Sequence, residues 1–143
     1  MTQLPLPTID QTQWPIVVVT MPQQALRDDE FLAFLDRLTE CWRRDQRFGL
    51  VVDVRWAPAL ASPQRRMVAE RLDQNAEKFS DSLQCIAVVL SNSVQRGIMG
   101  VLTWLMKKSY AMQPFTTVEL SVAWVAKALV VPAANDKRPA RIA

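Results

Sequence analysis

The sequence predicts an α/β domain, a mostly parallel sheet of four or five strands with about four helices. Three apolar blocks carry that prediction: Ile16 to Val19, Leu50 to Val54 and Ile86 to Leu90. Unbroken apolar runs suit strands covered on both faces, as parallel strands are when helices pack on each side. Each block is followed by a stretch with helical spacing, and right-handed crossovers then set consecutive parallel strands side by side. The chain has 143 residues, half of them hydrophobic and 22% charged, which suffices for one domain with its own core.

Taken in order, the segment around Ile9, flanked by Pro5 and Pro7, reads as a short edge strand. Trp14 to Thr20 is the first core strand, with Pro15 at a position that needs no ladder donor. From about Leu26 to Asp45, Phe31, Leu35, Leu38 and Trp42 recur at helical steps opposite Asp29, Asp36, Arg43 and Arg44. Asp28, Asp29 and Glu30 form an acidic first turn that complements the helix dipole. Arg47-Phe48-Gly49 reads as the turn into the second core strand. Ser62-Pro63 starts the next helix, serine as cap and proline as first helical residue. Its inward face is Val68, Leu72 and Phe79, and its wet face is Glu70, Asp73, Gln74 and Glu77. The third core strand runs from Cys85 to Leu90, and Ser91-Asn92-Ser93 caps a helix from Val94 to about Lys108. A short strand follows near Met112 to Phe115. Thr116 and Glu119 then spell a capping box for a last helix with Val118, Val122, Val125 and Leu129 inward. Pro132 ends it. One domain over residues 1–132 and a disordered tail over 133–143 are expected, the tail holding too little apolar surface to order itself.

Composition excludes several chemistries. With no histidine, sites built on Ser-His-Asp, Cys-His or His-metal sets are impossible within the chain. Three glycines cannot build a Gly-rich phosphate loop. Cys41 and Cys85 make no C-x-x-C pair and read as buried reduced thiols. No cofactor and no metal are expected. The net charge of +3 sits mostly in the tail, where Lys137, Arg138 and Arg141 outweigh Asp136, so the folded part lacks the basic face of a nucleic-acid binder. No run approaches the roughly 20 apolar residues of a membrane span, and the N-terminus has no signal-peptide pattern. A cytoplasmic protein is expected.

Two constellations are candidates for function. Ser62-Pro63-Gln64-Arg65 and Ser93-Val94-Gln95-Arg96 share the spelling S-x-Q-R, each at a helix start after a core strand. Parallel strands bring both to the carboxyl edge of the sheet, where Ser62, Arg65, Arg66, Ser93 and Arg96 form an anion pocket or a partner edge. The plainer reading is two helix caps with solvated arginines. The second candidate is Met99, Trp104 and Met106, apolar residues left outside the inward stripe of the 94–108 helix. They face a partner, or Tyr110, Met112 and the last helix cover them. Asp53 reads as a buried general base or, more simply, as a strand-end acceptor of backbone or arginine hydrogen bonds.

Trp14 to Val19, Leu50 to Arg55, Ser62 to Arg66, Ile86 to Val89, Arg96-Gly97 and Phe115 to Trp124 together resemble bacterial stand-alone STAS-like domains, across about residues 9 to 130. These are related in fold to anti-sigma-factor antagonists and to the cytoplasmic domains of sulfate transporters. The resemblance implies a non-enzymatic, regulatory protein-interaction module, here expected to self-associate. The alternative is a binder of a small anionic or lipid-like ligand at the carboxyl edge. Ser62 is the nearest match to the phosphorylatable serine of the antagonists, although Ala61-Ser62-Pro63-Gln64 replaces their Asp-Ser-Ser-Gly-like motif.

Overall fold

A computed structural model describes residues 6–79, 82–91 and 110–130. Five strands form one sheet in the order β1-β2-β3-β4-β5. They are β1 (Thr8–Gln13), β2 (Ile16–Thr20), β3 (Phe48–Asp53), β4 (Leu83–Val89) and β5 (Ala111–Phe115). β1 runs antiparallel to β2 at the edge, and β2 through β5 are mutually parallel. Among the described residues there are three helices: α1 (Asp28–Arg43), α2 (Ser62–Phe79) and α3 (Val118–Val130). The fourth expected helix, 94–108, lies outside the described residues with Ser93, Arg96, Met99, Trp104 and Met106, and so does the 133–143 tail.

Period-two alternation divides the sheet into two faces. Val17, Val19, Leu50, Ile86 and Val88 point toward α1 and α2 and join Phe31, Phe34, Leu35, Leu38, Trp42 and Leu72 in the larger core. Val18, Val51, Cys85, Ala87 and Val89 point the other way, to Val125 and Leu129 of α3. Thus, among the described residues, one face carries α1 and α2 and the opposite face carries α3.

Several local expectations are corrected. Phe48 and Gly49 are not a turn; they open β3 and are buried. Phe48 is held there by aromatic packing. Trp14 stacks on it with ring centroids 5.5 Å apart, and Trp42 meets it edge-on at 5.1 Å. The Arg44 guanidinium lies 3.7 Å over the Trp14 ring. Gly49 faces α3 so closely that a Cβ built on it would stand 2.4 Å from Val125 Cγ1. Thr117, not Thr116, caps α3: its Oγ1 accepts from the Leu120 amide at 3.2 Å. On α3 the deepest positions are Ser121, Val125 and Leu129, whereas Val118 and Val122 only flank the core. Ser62 opens α2 rather than capping it, and the Ala61 carbonyl takes the first helical bond, from the Arg65 amide at 3.0 Å.

α1 and α2 meet along a polar seam that the apolar pattern did not reveal. Asn75, which is buried, donates to Thr39 Oγ1 at 3.2 Å. Arg71 donates to the same oxygen at 3.2 Å and to Asp36 Oδ1 at 2.8 Å. Gln64, also buried, ties the start of α2 to that of α1 through the Leu26 carbonyl (2.8 Å) and Asp28 Oδ1 (3.1 Å). Partnered in this way, buried amides fix how two helices seat.

Candidate functional site

β2 through β5 end on one edge of the sheet, and α1, α2 and α3 begin there. Parallel strands joined by helices produce this carboxyl edge, where α/β folds tend to hold ligands. The first S-x-Q-R segment opens on it, as expected. The second lies outside the described residues. Only Ser91, just before it, is seen, donating from Oγ to the Arg55 carbonyl at 3.2 Å.

The side chains of the first segment are turned toward their own surroundings. Arg65 donates to the Leu60 carbonyl at 2.5 Å and to Ser62 Oγ at 2.8 Å, which closes the loop that enters α2. Arg66 is exposed on the outer side of the helix. Asp53 ends β3 and is buried, with 4% of its surface exposed. Its Oδ1 accepts from the Arg55 amide (3.1 Å) and Nε (3.0 Å), and its Oδ2 from Nη2 (2.9 Å). This forked pair suits a strand-end acceptor, the plainer of the two readings of Asp53. The bond from Asp53, with a smaller contribution from Glu119, holds the Arg55 guanidinium above its ordinary range. Beside it Trp56 stands 60% exposed, its ring centre 5.5 Å from the Arg55 guanidinium carbon.

The most distinctive feature of the described residues lies behind that rim. Between the sheet and the α1/α2 layer is a hollow of about 170 Å³. Leu50, Val52, Ile86 and Val88 floor it, and Leu35, Leu38, Val68 and Leu72 wall it. The loop from Ala57 to Leu60 and Met21 close one side. Arg71 is the one charged residue among its described lining, and its head group is engaged with Asp36 and Thr39, so its alkyl stem supplies the contact. Apart from Arg71, the described lining of the hollow is therefore apolar. For comparison, an engineered cavity of about 150 Å³ with similar lining stays dry and binds benzene.

Neither periodicity nor motif pointed to this hollow. A faint signal was present in Ala57-Pro58-Ala59, three short side chains beside the large residues of β3 and α1. Bulky core residues do not by themselves fill space; their partners must reach them.

Cys41 and Cys85 are both buried free thiols, and burial pushes each up to about 11. Among the described residues no three His, Cys, Asp or Glu side chains gather closely enough to hold a metal ion, and no helix is long and apolar enough to cross a membrane.

No protein-family model matches the chain, and no curated protein does. Among solved structures, the chain is similar to an uncharacterised protein of the DUF3478 family from Shewanella loihica PV-4, which has a SpoIIAA-like fold. The two share 11% identity at a TM-score of 0.60, over 87% of this chain and 98% of the other. The order of strands, the helices on both faces and that likeness agree: this is an α/β chain with a SpoIIAA-like, STAS-like fold.

Proposed function

We propose that the protein is a non-enzymatic binding module whose ligand is a small apolar molecule held between the sheet and the α1/α2 layer. The observation that carries this reading is the apolar hollow of about 170 Å³. At roughly 24 cal/mol per Å³, an empty space of that size costs at most about 4 kcal/mol. That is a large share of the 5–15 kcal/mol by which domains are typically stable. Occupancy recovers the lost contacts, so ligand and fold are thermodynamically linked. The volume suits one aromatic ring or a short alkyl chain. Arg55 and Arg65 of the rim have partners in their own loops, and Arg66 is exposed on the outer side of α2, so the lipid-like form of the ligand expectation is favoured over the anionic one.

Thermal melts with toluene, indole and octanoate test the idea, together with native mass spectrometry of the freshly purified protein. At a concentration one hundred times Kd, a probe that fits stabilises by about 2.7 kcal/mol. Val52→Phe, which places a ring in the hollow from a half-buried position, is expected to abolish that shift while the protein stays folded. The absence of a shift with every probe, with no co-purified mass, would reject the reading.

A second reading is the regulatory interaction module, favoured by Trp56, an exposed tryptophan beside an arginine on the carboxyl rim. Those two residue types are enriched at the energetic centres of interfaces. Phosphorylation of Ser62, exposed in the first turn of α2 and within reach of Arg65, would act on that same rim. Intact-mass analysis after incubation with a cognate serine kinase, against Ser62→Ala, decides whether the site is used.

A further inference from the structure

α3 is apolar nearly all the way round. Thirteen residues carry only two charges, Glu119 and Lys127. Ser121, Val125 and Leu129 take the side against the sheet. At 3.6 residues per turn the opposite side is Glu119, Leu120, Ala123, Lys127 and Val130, and all five are exposed. Leu120 and Val130 are the large apolar groups of that stripe, 55% and 63% exposed.

The two charges decide what fits there. They lie eight residues apart, on either side of Ala123 and at equal distance from it. When a second α3 is laid across the first in the antiparallel sense, with the two-fold axis at Ala123, each Glu119 falls opposite the partner copy's Lys127. Leu120 then falls beside the short side chain of the partner copy's Ala123. The small residue at the crossing point lets the two backbones approach. A parallel arrangement would instead set like charges against one another. Arg55, a cation of the same chain that influences Glu119, is already held by Asp53. We infer that this face of α3 is a self-complementary surface on which a second copy of the chain docks, antiparallel and two-fold symmetric. The inference is independent of whether the hollow on the opposite side of the sheet takes a ligand.

A helix of 13 residues is about 20 Å long, so the shared surface is at the small end for protein pairs and the dimer is expected to be weak. Sedimentation equilibrium of the full chain from 10 to 500 µM is expected to show a monomer–dimer equilibrium that weakens as salt is raised. Glu119→Lys and Lys127→Glu are each expected to weaken association roughly tenfold, since each replaces two exposed ion pairs of the dimer with two like-charge contacts. An equimolar mixture of the two single variants is expected to recover association, because one helix is then outwardly cationic and the other outwardly anionic. Leu120→Lys, at an exposed position that leaves folding intact, is expected to abolish it. A monomer at all concentrations overturns the proposal. So does a dimer indifferent to Leu120→Lys, or a mixture that associates no better than the single variants.

Discussion

The two faces of this sheet are packed by opposite means. Toward α1 and α2 the strands present Leu50, Val52, Ile86 and Val88, and the helices answer with Phe31, Phe34 and Trp42, yet about 170 Å³ is left between them. Toward α3 the strands present Val18, Gly49, Val51, Cys85, Ala87 and Val89, and at residue 49 the Val125 side chain fills the gap so closely that no Cβ fits. The face with the larger side chains is the looser one. Packing density depends on how neighbours interlock, not on the volume of any one residue. The hollow therefore sits where the helices stand off from the sheet, and the closest packing sits where one helix lies directly on it.

The sharpest way to break this contrast is to add one methyl group to each face. Gly49→Ala drives a Cβ into Val125 Cγ1 and also comes to 3.1 Å from Cys85 Sγ, so a cost of about 1–3 kcal/mol is expected in urea denaturation. Val125→Ala alone also destabilises, by opening a void. The double variant is expected to cost less than the two separately, by 0.5 kcal/mol or more, because each relieves the other. Additive costs would mean that the contact is not the constraint. On the other face, Val52→Ile adds a methyl beside the hollow and is expected to leave stability within about 0.5 kcal/mol of the parent. An equal penalty on both faces would erase the distinction.

A smaller effect tests how the α1/α2 layer holds its distance. Asn75→Ala removes a buried amide that donates to Thr39 Oγ1. That hydroxyl keeps its own bond to the Leu35 carbonyl and the one from Arg71, so the expected loss is about 1 kcal/mol. If the seam sets the width of the hollow, the affinity for an apolar probe should fall along with stability. A change in stability with unchanged affinity would assign the spacing to the apolar side chains instead.

These elements also show what a sequence discloses. The core strands were legible because strands covered on both faces must be apolar without interruption, as Val17, Val51 and Ala87 are. α1 was legible from Phe31, Leu35, Leu38 and Trp42, a stripe one helix face wide. Gly49 was misread, because glycine between Phe48 and Leu50 has the same spelling whether it bends a turn or admits a neighbouring helix. The burial of Gln64 and Asn75 left no local signal on a mostly polar helix, because partners thirty or more residues away in sequence satisfy them. Of the candidate site, the carboxyl edge and the Ser62–Arg65 helix start were anticipated. The hollow was not, since a volume is a difference between several distant side chains and leaves no local pattern.

The cysteines give the gentlest test, one on each side of the same sheet. Cys41 belongs to the α1/α2 core and Cys85 to the α3 core, and burial raises both thiols to about 11 from an ordinary value of 9.0. Because the folded chain holds these protons more tightly than the unfolded chain, stability is unaffected below pH 9. It falls as pH rises from 9 toward 11, where the unfolded state ionises first. At pH 8 neither thiol is expected to react with a disulfide reagent unless its face opens. If the hollow makes the α1/α2 side the easier one to open, Cys41 reacts before Cys85 in the native protein, and an apolar probe in the hollow slows Cys41 alone. Equal rates, or a probe that slows both, would mean that the thiols report global unfolding and that the two faces open as one unit.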